Sequence, residues 1–279
     1  MNEFLLSKQI EDLLVARNLR GMKHIQKVLN AGYCLRAAQM LHKVKGNVLI
    51  GTGFPVVDTF ETDGPVGALI LYKALEILGA TPILVCCTTM AERLSADYRV
   101  YGLDQGELAS AEHVSHQALL TLQPQVIISI ERPGLAENGC YHNMLGEDIS
   151  ARAACFDHFL TQAHCPTIAI GDGGNEIGMG KVKATLTELD IIPAVTSCDE
   201  LIVADVSNWG VYGILAFLSL WSEHDLLSET CPEDILKYLS KLGSVDGVTR
   251  KNELTEDSLP ASEGIALIQK IRTLIGFHG

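Results

Sequence analysis

Apolar residues in this chain collect into five short unbroken runs, and stretches of helical spacing fill the gaps between them. The runs are Asn47 to Gly51, Pro82 to Cys87, Gln125 to Ile130, Pro166 to Ile170 and Leu201 to Ala204. A strand covered on both faces needs no polar alternation, so continuous β-branched runs of this length predict parallel strands inside a sheet. Between them the spacing predicts helices over Pro65 to Leu78, with Gly64 before and Gly79 as its stop, then over about 90–100, 107–122 and 149–163. Val182 to Leu189 has helical composition, and an apolar helix starts at Trp209. Ahead of the first run, Glu3 to Val15 and roughly Ile25 to Val44 are periodic, with Gly32 a break; the last sixty residues read as helices around an irregular Gly243 to Leu259 loop.

Strands alternating with helices imply an α/β fold: a doubly wound, mostly parallel sheet with helices on both faces, a Rossmann-like three-layer sandwich. No linker, repeat or low-complexity stretch interrupts the 279 residues. The expected organisation is one α/β domain over 1–279, with an N-terminal helical segment at about 1–45 and a C-terminal one at about 210–279.

Composition narrows the partners. The formal net charge is −13, which disfavours nucleic acid and anionic membranes. No run reaches the ~18 apolar residues of a spanning helix, and the first residues lack the pattern of a signal peptide. Eight cysteines without a C-x-x-C pair fit reduced thiols in a cytoplasmic protein. A homo-oligomer is compatible with all of this.

The chemistry concentrates in Gly171-Asp-Gly-Gly-Asn-Glu-Ile-Gly-Met-Gly-Lys181, where five of the first ten residues are glycine. A strand, a glycine-rich loop and a helix in succession suit a ligand-facing loop. Both nucleotide motifs fail in detail. A P-loop would need Gly at Asn175 and Ser or Thr at Val182, and a dinucleotide fingerprint would need a small residue at Glu176. No nucleotide cofactor is expected.

Ligands of open parallel sheets sit beyond the carboxyl ends of the strands, and four of the five ends carry acidic or amide groups. Thr52, Gly53, Glu61 and Asp63 follow the first run; Glu131, Arg132, Asn138 and Asn143 follow the third; the glycine loop follows the fourth; Asp205, Ser207 and Asn208 follow the fifth. A shared polar cleft is the expectation. Its oxygen donors suit Mg²⁺ or Mn²⁺. His113 and His116, three apart on a helix, read as solvated or packed, and Cys140 with His142 lacks an orienting third group for nucleophilic work.

These motifs resemble the D-glutamate cyclase family from about Arg17 onward. The resemblance rests on Gly-Phe-Pro at 53–55, Glu-Thr-Asp-Gly-Pro at 61–65, Glu-Arg at 131–132, the loop at 171–182 and Val-Ser-Asn-Trp-Gly at 206–210. It implies a carbon–oxygen lyase that closes D-glutamate to 5-oxo-D-proline and water, with a small anionic amino acid as substrate. In that reaction a divalent metal on Asp172, Glu176 and Glu61 or Asp63 would neutralise the γ-carboxylate. One of Glu61, Asp63 or Glu131 would be the base. Arg132 or Lys181, with Arg20 as a further candidate, would grip the α-carboxylate. Asn175, Asn208, Thr52, Gly53, Asn143, Gly173 and Gly174 would complete the substrate site. The same acidic loops are compatible with a metal-dependent hydrolase of a phosphate ester, or with a non-catalytic small-molecule sensor.

Overall fold

The computed structural model describes residues 2–277. Six parallel strands form its central sheet: β1 (Asn47–Thr52), β2 (Thr81–Cys87), β3 (Val100–Leu103), β4 (Val126–Ile130), β5 (Thr167–Gly171) and β6 (Glu200–Val203), in the spatial order β3-β2-β1-β4-β5-β6. This is the doubly wound order. The chain winds outward from β1 to β3, returns to the middle, and winds the other way from β4 to β6. Because β1 and β4 are neighbours, their carboxyl ends open the crevice in which such sheets bind ligands.

The helices cover the sheet unequally. On one face lie α1 (Glu3–Leu14), α3 (Tyr33–Leu41), α4 (Pro65–Ile77), α9 (Ser207–Ser222), α10 (Pro232–Lys241) and α11 (Ala261–Leu274), whose apolar side chains pack with alternate strand residues into the larger core. Helix α9 is its axis: from Ser207 to Ser219 every side chain is buried, and α4, α3, α11 and α1 all pack on it. A helix surrounded on all sides has no polar face to keep, which is why its sequence is apolar all round. The opposite face is thin. There α6 (Leu108–Leu122) and α7 (Asp157–Thr161) close over Leu49, Val85, Ile127, Phe156 and Phe159. Among the described residues no helix is long and apolar enough to cross a membrane.

All five predicted strands are present, and three departures from the expected elements matter. The stretch expected as a helix to residue 100 ends early, in α5 (Thr88–Leu94), and gives way to β3, an edge strand. Its residues are mostly half-buried or exposed, so it lacks the unbroken apolar signature. The helix expected over 149–163 shrinks to α7. Ile149, Ala153 and Phe156 are indeed buried, but from a long irregular segment that runs on from β4, whereas Leu160 is buried from the helix itself. The helical composition after the glycine loop yields a 3-10 turn at Met179–Val182 and the four-residue α8 (Lys183–Leu186). At the N-terminus the periodic stretch divides into α2 (Met22–Gln26) and α3, with Gly32 at φ +91° between them.

Candidate active site

Beyond the carboxyl ends of β1, β4 and β5, which are adjacent in the sheet, stand Asp63, Glu131 and Asp172. Each offers a carboxylate oxygen within 4.8 Å of the others, and all three residues are buried. Glu131 and Asp172 form the floor of a cavity of about 440 Å³, with Asp63 set against them from behind, and its walls include Glu61, Glu176, Asp257, Asn175, Asn143 and Arg20. Residues from 20 to 257 thus meet at one hollow.

Each carboxylate is held differently. Asp63 accepts the backbone N–H groups of Gly64 (2.8 Å) and Asn208 (2.8 Å) on Oδ1 and of Ser207 (2.9 Å) on Oδ2. It therefore caps α9, the positive end of whose dipole favours a negative partner. Glu131, in the left-handed region at φ +45°, accepts the Ser207 hydroxyl at 2.5 Å. Glu176 turns back on its own loop: its two oxygens take the N–H groups of Gly173 (2.9 Å) and Gly174 (2.7 Å). A side chain on Gly173 would place its Cβ 2.7 Å from Glu176 Oε1, and Gly174 has φ +111°, so the loop needs both glycines. Asp172 pairs with Arg20, which also pairs with Asp257 and donates to the backbone carbonyls of Asp172 (3.3 Å) and Asp205 (3.2 Å). Glu61 has no hydrogen-bonding partner for its carboxyl among the described residues.

Arg20 is the guanidinium paired with this group, and the electrostatics follow. Burial, then the neighbouring charges of Asp257 and Asp63, hold Glu61 well above the usual carboxylate range. Burial and the Glu176 charge do the same to Glu131, and burial raises Asp172 despite the opposing pull of Arg20. Asp63 is pushed up to about 7, chiefly by burial, and burial also raises Glu176. Such a cluster must take up protons or a cation to remain folded around itself. Asn175 adds an open acceptor. Its Nδ2 donates to the His142 carbonyl at 3.0 Å, while its Oδ1, buried at the cavity wall, has no donor.

Not every predicted residue reaches the cavity. Arg132 is fully buried beneath it, donating to the carbonyls of Thr52 (2.7 Å), Val85 (3.1 Å) and Ala154 and lying over the Phe156 ring. It knits the ends of β1 and β2 to the segment before α7 and is out of reach of a carboxylate in the cleft. Lys181 points outward to the carbonyls of Cys198 and Asp199. Asn208 is a buried staple: Oδ1 accepts from Gly64 (2.8 Å) and Gly67 (2.6 Å), and Nδ2 donates to Thr62 (3.3 Å) and Glu256 (2.7 Å). Thr52 and Gly53 lie behind the wall. Asn143 does line the cavity, its side chain closing a tight turn with Leu145 and Glu147.

Conversely, Asp257, Arg152 and Arg250 line the cavity without having been singled out. Asp257 sits at φ +50° in the C-terminal loop, which Asp246 organises by accepting the N–H groups of Val248 (2.9 Å), Thr249 (2.8 Å) and Ser258 (2.7 Å). No strand of the main sheet precedes that loop, so the strand-end rule passes over it.

Fold and site together define an α/β protein with a carboxylate-rich cleft at the switch point of a doubly wound sheet. Sequence comparison specifies the family. The family model described as "D-glutamate cyclase-like, C-terminal" matches residues 10–272, and the chain belongs to that family. A curated relative, human "D-glutamate cyclase, mitochondrial", is 31% identical over 227 residues, which is 71% of this chain and 36% of the relative. The chain thus spans little more than a third of that protein's length. Among solved structures, an exopolyphosphatase-related protein from Bacteroides fragilis aligns over 91% of this chain and 62% of its own, with a TM-score of 0.43 and 10% identity.

Proposed function

We propose that the chain is a lyase that closes D-glutamate to 5-oxo-D-proline and water at the Asp63–Glu131–Asp172 cluster. The observation that carries this reading is the union of that cluster with an unpaired buried acceptor on Asn175 and the guanidinium of Arg20 paired to Asp172, within the family of the cyclase. The α-ammonium donates to Asn175 Oδ1 and the α-carboxylate pairs with Arg20, displacing part of its hold on Asp172 and Asp257. The substrate is thereby folded so that its nitrogen faces its own γ-carbon. Fixing that conformer supplies a share of the ~7–11 kcal/mol available to well-oriented intramolecular reactions.

Glu61, free of hydrogen-bonding partners and raised by burial, passes the protons. It takes one from the ammonium so that the amine attacks, and returns it to the departing oxygen; the second ammonium proton follows, and the oxygen leaves as water. The oxygen donors of Asp63, Glu131 and Asp172 fit a hard divalent cation, each retaining acceptor capacity beyond the bonds it already makes. Such an ion, when bound, neutralises the γ-carboxylate and makes its carbon electrophilic. The test is chiral chromatography of the products formed from D-glutamate by purified protein with Mn²⁺. Formation of 5-oxo-D-proline that falls by ~10² or more in Glu61→Gln supports the reading, and wild-type protein that forms none overturns it.

A further inference from the structure

The cavity is larger, and more apolar at its mouth, than glutamate alone would fill. Its volume of about 440 Å³ lies in the ~300–1,000 Å³ range of sites that enclose drug-sized molecules. The carboxylates occupy only its floor. Around the mouth, three separate loops contribute Val57, Met144, Leu145 and Val248, which are 49%, 41%, 72% and 56% exposed. Single exposed apolar residues are ordinary, but a convergent set from three loops marks a contact surface. Beside them stand Arg152, anchored on the Val57 carbonyl at 2.5 Å, and the exposed Arg250, whose guanidinium has no hydrogen bond or ion pair among the described residues.

Resting on the lactam-forming reading, we infer that the preferred substrate is a γ-glutamyl conjugate of an apolar amino acid. Its glutamyl part sits on the floor, the apolar side chain lies against the rim, and the terminal carboxylate meets Arg250. The chemistry is easier than with free glutamate, because a γ-amide is uncharged and a better electrophile than an ionised carboxylate. The bond formed joins the α-nitrogen to the γ-carbonyl carbon, and the bond broken is the γ-amide C–N. Both protons shed by the α-ammonium end on the leaving amine, and nothing is oxidised or reduced. The products are 5-oxoproline and the free apolar amino acid, the latter departing through the rim that held it.

The experiment compares γ-D-glutamyl-leucine with D-glutamate on the same purified protein with Mn²⁺, following 5-oxo-D-proline and leucine. The expected result is equimolar release of both at a kcat/KM at least about tenfold above that for D-glutamate. Leu145→Asp and Arg250→Gln should each remove about tenfold from the conjugate while leaving D-glutamate turnover within about twofold. Turnover of D-glutamate with no advantage for the conjugate overturns the inference and spares the reading beneath it. Conjugate turnover without D-glutamate turnover sustains the inference and removes glutamate itself as substrate. Leucine released with glutamate instead of 5-oxoproline identifies a peptidase, and no turnover of either compound removes both.

Discussion

Among the residues around the cleft, Glu256 offers the cleanest test of the electrostatics, because it lies behind the floor and is no candidate ligand. Burial, with the Asp63 charge next, pushes its carboxyl up to about 8 from an ordinary 4.5. A folded-state value above the unfolded one favours the folded chain fully below about pH 4.5, and that advantage is lost as pH rises through about 8. In chelator, wild-type stability should therefore fall between pH 5 and 9. Glu256→Gln, which keeps an acceptor for Asn208 Nδ2, should fall less across that window; urea unfolding at pH 5, 7 and 9 measures the difference. Arg20 works in the opposite sense. Arg20→Gln strips Asp172 and Asp257 of their shared cation and should cost ~3–5 kcal/mol at pH 8, with partial recovery at pH 5 as Asp172 takes up a proton. For catalysis, Asn175→Ala should lower kcat/KM for D-glutamate by roughly 10- to 100-fold, the value of a hydrogen bond to a charged group, with unfolding changed by only about 1 kcal/mol for the lost bond to His142.

The element that decides the site's shape is the amino end of α9. Asp63 caps it, Ser207 reaches Glu131, and Asn208 ties it to the first turn of α4 and to Glu256. Asn208→Ala leaves buried N–H groups of Gly64 and Gly67 with lost or shared partners, and should destabilise by ~2–4 kcal/mol without raising KM for D-glutamate in the folded fraction. A substrate ligand would behave the other way round. On the glycine loop, a Cβ at Gly180 would lie 2.1 Å from the Val195 carbonyl oxygen, a backbone atom that cannot rotate aside. Gly180→Ala should cost ~1–3 kcal/mol or more by overpacking, visible in the thermal midpoint. Short elements were the hardest to read from sequence. Edge strand β3 lacks burial on both faces, and the segment before α7 spaces Ile149, Ala153 and Phe156 as a helix would while packing as irregular chain.

At the scale of the whole molecule, carboxylates contributed by three adjacent strand ends should make the fold responsive to a divalent ion. Titrating Mn²⁺ alone should raise the thermal midpoint in proportion to RT ln(1 + [Mn²⁺]/Kd), most strongly at high pH, and Glu131→Gln should abolish the rise. The sequence by itself determined the alternation of strands and helices, because apolar runs and helical spacing are local patterns that survive without knowledge of neighbours. It also determined the acidic strand ends and the loop at 171–181. Strand order, and with it the meeting of Asp63, Glu131 and Asp172, was decided by the tertiary structure, since which strands lie side by side depends on contacts between residues far apart in the chain. The same holds for direction: Arg132 and Lys181 occupy the expected loops and Asn208 the first turn of α9, yet backbone carbonyl groups hold the two cations away from the cleft and the amino end of α4 claims the amide. Asp257 and Arg250 reach the cleft from a C-terminal loop that no local pattern connects to it, because the loop acquires its place only when α10 and α11 pack.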